Sequence, residues 1–123
     1  MIFDIETDGL NPTKIHCLAF EDQGVVAATT NYDEMRAALS GALKLVGHNI
    51  IRYDLPVLKK LLGWEPRSDQ KIVDTLALSW YYNFDRGSGN GLASYGELFG
   101  VPTPKVDDWQ NLSPEEYMHR CKE

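Results

Sequence analysis

The chain opens Met1-Ile2-Phe3-Asp4-Ile5-Glu6, with two carboxylates spaced two residues apart in an otherwise apolar run. In an extended strand, residues two apart project to the same face. Asp4 and Glu6 therefore share a face with Ile2, while Met1, Phe3 and Ile5 share the other. Carboxylates held side by side inside a protein are costly unless protonated, paired or bound to a metal. No lysine or arginine stands near them in sequence to pair them. The same spacing also fits solvated acids on a strand edge, or acids bridged from elsewhere in the chain.

Other residues with chemical potential carry weaker signals. Gly87-Ser88-Gly89-Asn90-Gly91 lacks the Lys-Ser/Thr that completes a phosphate-binding P-loop, and reads as a surface loop. His16, Cys17, His119 and Cys121 have none of the spacing of a zinc motif. His48 reads as a packed strand-end histidine, and Asp107-Asp108 as a solvated loop pair. Asp74-Thr75 reads as a helix start, with Asp74 also able to orient a ligand from behind. Trp80, Tyr81 and Phe99 are candidates for the core or for an interface; exposed, they would suggest docking to another domain.

The elements that must position Asp4 and Glu6 can be read from periodicity. A strand covers 1–6, and Asp8-Gly9 and Asn11-Pro12 mark a turn. Runs 14–20 and 24–29 are two further short strands, and the short connections imply an antiparallel meander. A helix is expected over 31–39, a strand over 45–47 and an amphipathic helix over 53–62, where Leu55, Val57, Leu58, Leu61 and Leu62 form one stripe. Residues 72–73 form a fifth strand that leads into a helix over 76–82, and another helix is expected over 92–99. Ser113-Pro114-Glu115-Glu116 is a capping box that starts a last helix. That helix lacks a stop signal before Glu123, so the chain reads as cut inside or barely past it. A meander followed by alternating helices and strands makes an α/β domain with a mixed five-stranded sheet. The expected order is 3-2-1-4-5, with the first strand central.

The chain has 123 residues, 43% hydrophobic and 24% charged, which suits one packed domain over 1–123. No apolar run approaches the ~20 residues of a membrane span, and no signal peptide precedes the first strand. Two cysteines in a chain of this size make no disulfide framework, and free thiols in the cytoplasm are expected. The net charge of −6 argues against nucleic acid on simple electrostatics. A nuclease that binds metal escapes this argument, because its carboxylates hold the cations that meet the phosphates.

Asp4-Ile5-Glu6-Thr7-Asp8-Gly9-Leu10 closely resembles the first motif, D-x-E-T-x-x-L, of the proofreading 3′→5′ exonucleases in the DEDD superfamily. Asn49-Ile50-Ile51-Arg52-Tyr53-Asp54, preceded by Gly47-His48, resembles the second. Ile72-Val73-Asp74-Thr75-Leu76 and Gly91-Leu92-Ala93-Ser94-Tyr95-Gly96-Glu97-Leu98-Phe99-Gly100 are similar to landmarks between the later motifs. The order is right over nearly the whole chain, and the likeness is greatest to exonuclease domains of phage family-A DNA polymerases. Two motifs with these landmarks are far more specific than either alone.

The resemblance implies an RNase H-like fold and a metal-dependent nuclease that removes nucleoside 5′-monophosphates from single-stranded DNA 3′ ends. By the same likeness Asp4, Glu6 and Asp54 hold two divalent ions, Mg²⁺ or Mn²⁺. Thr7 and Leu10 would meet the terminal nucleotide, and Asn49 and Tyr53 the substrate strand. Asn49 also suits a turn hydrogen bond, and Tyr53 core packing. A polymerase domain in cis or in trans is the implied protein partner.

The third motif departs from the pattern. Aligning 115–123 with its helix puts the fourth acid one position past Glu123, with Arg120 at the tyrosine position and His119 at the histidine position. His119 is then the expected general base, although it also suits a solvated helix end. Tyr117 is a weaker substitute, and Glu123 lies about 100° around the helix from the required site. The chain as written is expected to be weak or inactive alone. The competing reading is a degenerate module of the same fold that binds DNA or a protein. A third reading is a free-standing exoribonuclease.

Overall fold

The computed structural model describes residues 1–82 and Gly91. The helices expected over 92–99 and from Ser113, and His119 with them, lie outside the described residues. The chain runs β1 (Ile2–Thr7), β2 (Ile15–Asp22), β3 (Val25–Thr29), α1 (Tyr32–Gly41) and β4 (Lys44–Gly47). A π-helical turn (Ile50–Asp54) leads directly into α2 (Leu55–Leu62), followed by β5 (Lys71–Asp74) and α3 (Thr75–Tyr82). The sheet order is β3-β2-β1-β4-β5, with β1 central, as the element pattern predicted. β1 pairs antiparallel with β2, and β2 with β3, while β1–β4 and β4–β5 are parallel. This is the RNase H-like arrangement of an α/β sheet flanked by helices.

The local chemistry explains most of these elements. Gln23 and Gly24 both have positive φ, the backbone a two-residue hairpin between β2 and β3 requires. Asn31 caps α1 by accepting the Glu34 N–H at 3.0 Å. The apolar residues of β1, Phe3 and Ile5, are buried with Leu18 of β2, Leu45 of β4, Met35 and Leu39 of α1, and Val57, Leu58 and Leu62 of α2. The main core therefore lies on the Phe3/Ile5 side of the sheet, and the other face of β1 is left for Asp4 and Glu6. Among the described residues, no helix is long and apolar enough to cross a membrane.

Two features differ from the expectation. The helix expected over 53–62 is two pieces, since its first turn is the wider π-helical turn and only Leu55 onward is α-helical. The N–H groups of Asn49 and Ile51 at the start of that turn donate to Asp74, a contact that the apolar stripe does not encode. β1 and β2 also slip register after Glu6: Glu6 pairs with Cys17 but Thr7 with Ile15. Such a bulge bends and twists a strand locally and re-aims the side chains beside it.

Candidate active site

β1 places Asp4 and Glu6 on the sheet face opposite the main core, as their alternation requires. Directly across on β2 stand Ala19 and Cys17, both buried. Asp4 keeps its own contact with solvent, although protein packs around it. The surrounding protein raises its pKa to about 6, against the smaller opposing effect of the Ile5 backbone N–H.

Asp54 arrives from a distant stretch, at the last position of the π-helical turn. Only 4% of it is exposed. Burial pushes its carboxyl up to about 8, and the charges of Asp4, Asp74 and Glu6 push the same way, against its own backbone N–H. Glu6 makes the smallest of these contributions. Near neutral pH the Asp54 carboxyl therefore holds a proton more readily than that of Asp4. The Oδ2 of Asp54 is buried and has no hydrogen-bond partner, a costly state for a polar atom.

Asp4, Glu6 and Asp54 offer carboxylate oxygens alone, the donor class preferred by Mg²⁺ and Mn²⁺ over softer metals. The orphaned Oδ2 of Asp54 is the atom that would gain most from a cation. In donor chemistry, therefore, these residues fit the divalent ions the sequence motifs imply. Among the described residues, no three or more His, Cys, Asp or Glu side chains form a ready-made metal-holding group. What is assembled is the opposed pair Asp4 and Asp54, with Glu6 acting more weakly.

Thr7 and Tyr53 meet each other: the two hydroxyls share a hydrogen bond of 2.6 Å, and that of Tyr53 also donates to the Gly9 carbonyl at 2.8 Å. The Thr7 hydroxyl reaches the same carbonyl at 3.1 Å. Tyr53 is half-buried and packs against the core, in keeping with its structural alternative. Asn49 sits in the left-handed region at φ 59°. Its N–H donates to Asp74 and its carbonyl accepts the Tyr53 N–H, so its turn role is realised through the backbone.

Leu10 is 96% exposed at the tip of the β1–β2 loop. Asp8 braces that loop by accepting the backbone N–H groups of Thr13 and Lys14 and the Thr13 hydroxyl. Lys60 braces it from α2 by donating to the Asn11 side chain and the Pro12 carbonyl. Leu10 is thus a bare apolar prong on a held loop. His48 packs at the end of β4 with Nδ1 2.8 Å from the Thr75 hydroxyl, and burial lowers its pKa against the opposing charge of Asp74. On α3, Tyr81 and Tyr82 are exposed, while Trp80 is half-buried beneath the Arg52 guanidinium, 5.0 Å from the ring centroid.

Sequence reasoning gave two residues too small a part. Asp74 accepts four backbone N–H groups, from Asn49, Ile51, Leu76 and Ala77. Burial pushes its pKa up, but those donors outweigh it and hold the carboxyl below its ordinary value. Gly47 is required for packing, since a Cβ there would lie 2.3 Å from Ile50 Cγ2 and 3.1 Å from the Phe3 carbonyl. The Asp-Thr pair at the junction of β5 and α3 and the glycine closing β4 were the visible signals, but neither announces a partner so far along the chain.

No protein-family model matches this chain, and no curated protein matches it.

Proposed function

We propose that this chain is a DEDD-type 3′→5′ exonuclease domain that removes nucleoside 5′-monophosphates from single-stranded DNA 3′ ends. One observation carries the reading: the buried, partnerless Oδ2 of Asp54 belongs to a carboxyl whose pKa is raised first by burial, then by the charge of Asp4 from the first motif and of Asp74, with the smallest push from Glu6. Asp4, Glu6 and Asp54 would hold two divalent ions, Mg²⁺ or Mn²⁺. Bound there, such ions supply an activated water and neutralise charge at the departing 3′ oxygen. Asp54 would give up its proton on loading, which links affinity to pH. Leu10 would pack against the terminal base, while Thr7 and Asn49 would contact the terminal nucleotide and the strand behind it. In this reading His119 is the general base, the compartment is the cytoplasm, and a polymerase domain in cis or in trans would lie against the exposed end of α3.

The test is digestion of 5′-labelled single-stranded DNA with Mn²⁺, with an RNA strand in parallel. Weak stepwise shortening from the 3′ end, abolished by chelator and by Asp4→Ala, is the expected result for a chain with three of the four motif acids. The second reading is a binding module of the same fold, and the lack of a ready-made metal group among the described residues favours it. It predicts DNA or protein binding that survives both the chelator and Asp4→Ala, with no digestion.

A further inference from the structure

The backbone must carry Asp54 into the site, because the carboxylate is not anchored through Oδ2. The chain leaves β4 at Gly47, reverses through Asn49 and enters the π-helical turn. The first N–H groups of a helical segment have no partners within it. Here Asp74 supplies partners, with Oδ1 2.9 Å from the Asn49 nitrogen and Oδ2 3.0 Å from the Ile51 nitrogen. The two donors straddle Ile50, whose fully buried side chain occupies the space that Gly47 leaves open. Oδ1 also accepts the Leu76 N–H at 2.9 Å and the Ala77 N–H at 3.3 Å, the first free donors of α3. Asp74 pairs with Gly47 in the β4–β5 register, so the carboxylate is built into the sheet end from which the turn departs. A single side chain thereby ties the start of α3 to the turn that ends in Asp54.

We infer that Asp74 is a positioning residue of the candidate site, gripping the Asn49 and Ile51 N–H groups so that the π-helical turn presents Asp54 to Asp4. The inference rests on reading Asp4 and Asp54 as cation ligands, and it adds a residue outside that ligand set. Its role is separable from capping α3. In Asp74→Asn the amide nitrogen replaces one acceptor and opposes a backbone donor, whereas the remaining oxygen still caps the helix. In Asp74→Ser the hydroxyl still caps but is too short to span to the turn.

The experiment compares the wild type, Asp74→Asn, Asp74→Ser and Gln70→Ala by Mn²⁺ calorimetry and by amide hydrogen exchange without metal. Gln70 is buried at the opposite end of β5, where it donates to the Leu39 and Ala42 carbonyls, and its loss is the control for general destabilisation. In the Asp74 variants the Asn49 or Ile51 amides are expected to exchange faster while Leu76 stays protected. Mn²⁺ affinity is expected to fall at least about tenfold, as for residues that orient metal ligands. Gln70→Ala should leave Mn²⁺ affinity unchanged. If Asp74→Asn does not fold, Asp74→Ser carries the comparison. Wild-type affinity in a variant whose turn amides exchange faster would overturn the inference alone, as would turn amides that stay protected. A wild-type protein that binds no Mn²⁺ would instead overturn the cation-site reading, and this inference with it.

Discussion

Asp54 and Asp74 are buried to almost the same degree, 4% and 6% exposed, and they end in opposite states. Asp74 receives four backbone N–H groups and is held as a carboxylate below its ordinary pKa. Asp54 has an oxygen with no partner and acidic neighbours, and its pKa is pushed up to about 8. Burial penalises both charges, more heavily at Asp54; the acids beside Asp54 and the N–H donors aimed at Asp74 drive the two further apart. Asp74 spends its charge on holding the fold together. Asp54 is left frustrated, as expected of groups kept for function at some cost to stability.

The largest effect expected from this contrast is at Asp54. Asp54→Asn should reduce Mn²⁺-dependent digestion by about 10³-fold or more, since metal assistance supplies several kcal/mol. The same variant should stabilise the metal-free protein at pH 8, seen as a higher denaturation midpoint, because it removes the repulsion with Asp4. A variant that lost stability and kept activity would break the contrast.

Asp74→Ala should act the other way, lowering stability by about 3 kcal/mol through the loss of charge-assisted hydrogen bonds and a helix cap. Denaturant titration with an unchanged slope would check it. A loss within about 0.5 kcal/mol, typical of an unremarkable surface site, would make the four-donor arrangement energetically idle.

The pH dependence sharpens the comparison further. Asp54 and Asp4 have folded pKa values above those of the unfolded chain, near 8 and 6. The folded state therefore keeps protons that the unfolded chain releases. Their contribution to stability is full below about pH 4, falls as pH rises through 6 and is lost by about 8. Asp74, with a lowered pKa, contributes above the unfolded value and loses that contribution as pH falls through its folded one. Metal-free protein should thus lose stability from pH 5 to pH 8, by about 1.4 kcal/mol for each pKa unit of upward shift at the buried Asp54, with a smaller share from Asp4, whose exposure to solvent screens it. Mn²⁺ should flatten that decline by replacing the protons. Thermal melts across this range, with and without Mn²⁺, test both statements.

The smallest effect is expected at the tie between the two motif segments. Tyr53→Phe removes the hydroxyl that bridges Thr7 and Gly9. It should cost about 1 kcal/mol, read as a melting temperature a few degrees lower. A tie that also steadies the β1–β2 loop should show faster exchange of the Gly9 amide in the same variant.

The first strand was the most legible part of the chain. Its period of two put Phe3 and Ile5 on one face and Asp4 and Glu6 on the other, and the structure keeps that division, with Phe3 and Ile5 in the core. The sheet order was legible as well, because short connections force the meander and helical ones allow the parallel pairs. The π-helical turn was not, because the apolar stripe from Leu55 onward looks the same whether an α-helix or a wider turn precedes it. The slip after Glu6 was equally silent, since neither Glu6 nor Thr7 is the glycine that can mark a bulge.

Alternation, turn chemistry and the positions of acids along the chain are local properties, and they alone put Asp4 and Glu6 side by side on a central strand. Bringing Asp54 to them depended on β4 pairing parallel to β1, and on Asp74 at the end of β5 gripping the intervening turn. The protonation of each carboxyl was decided at the same level. A carboxyl responds to the protein packed around it and the N–H groups aimed at it, and both come from residues far away in sequence.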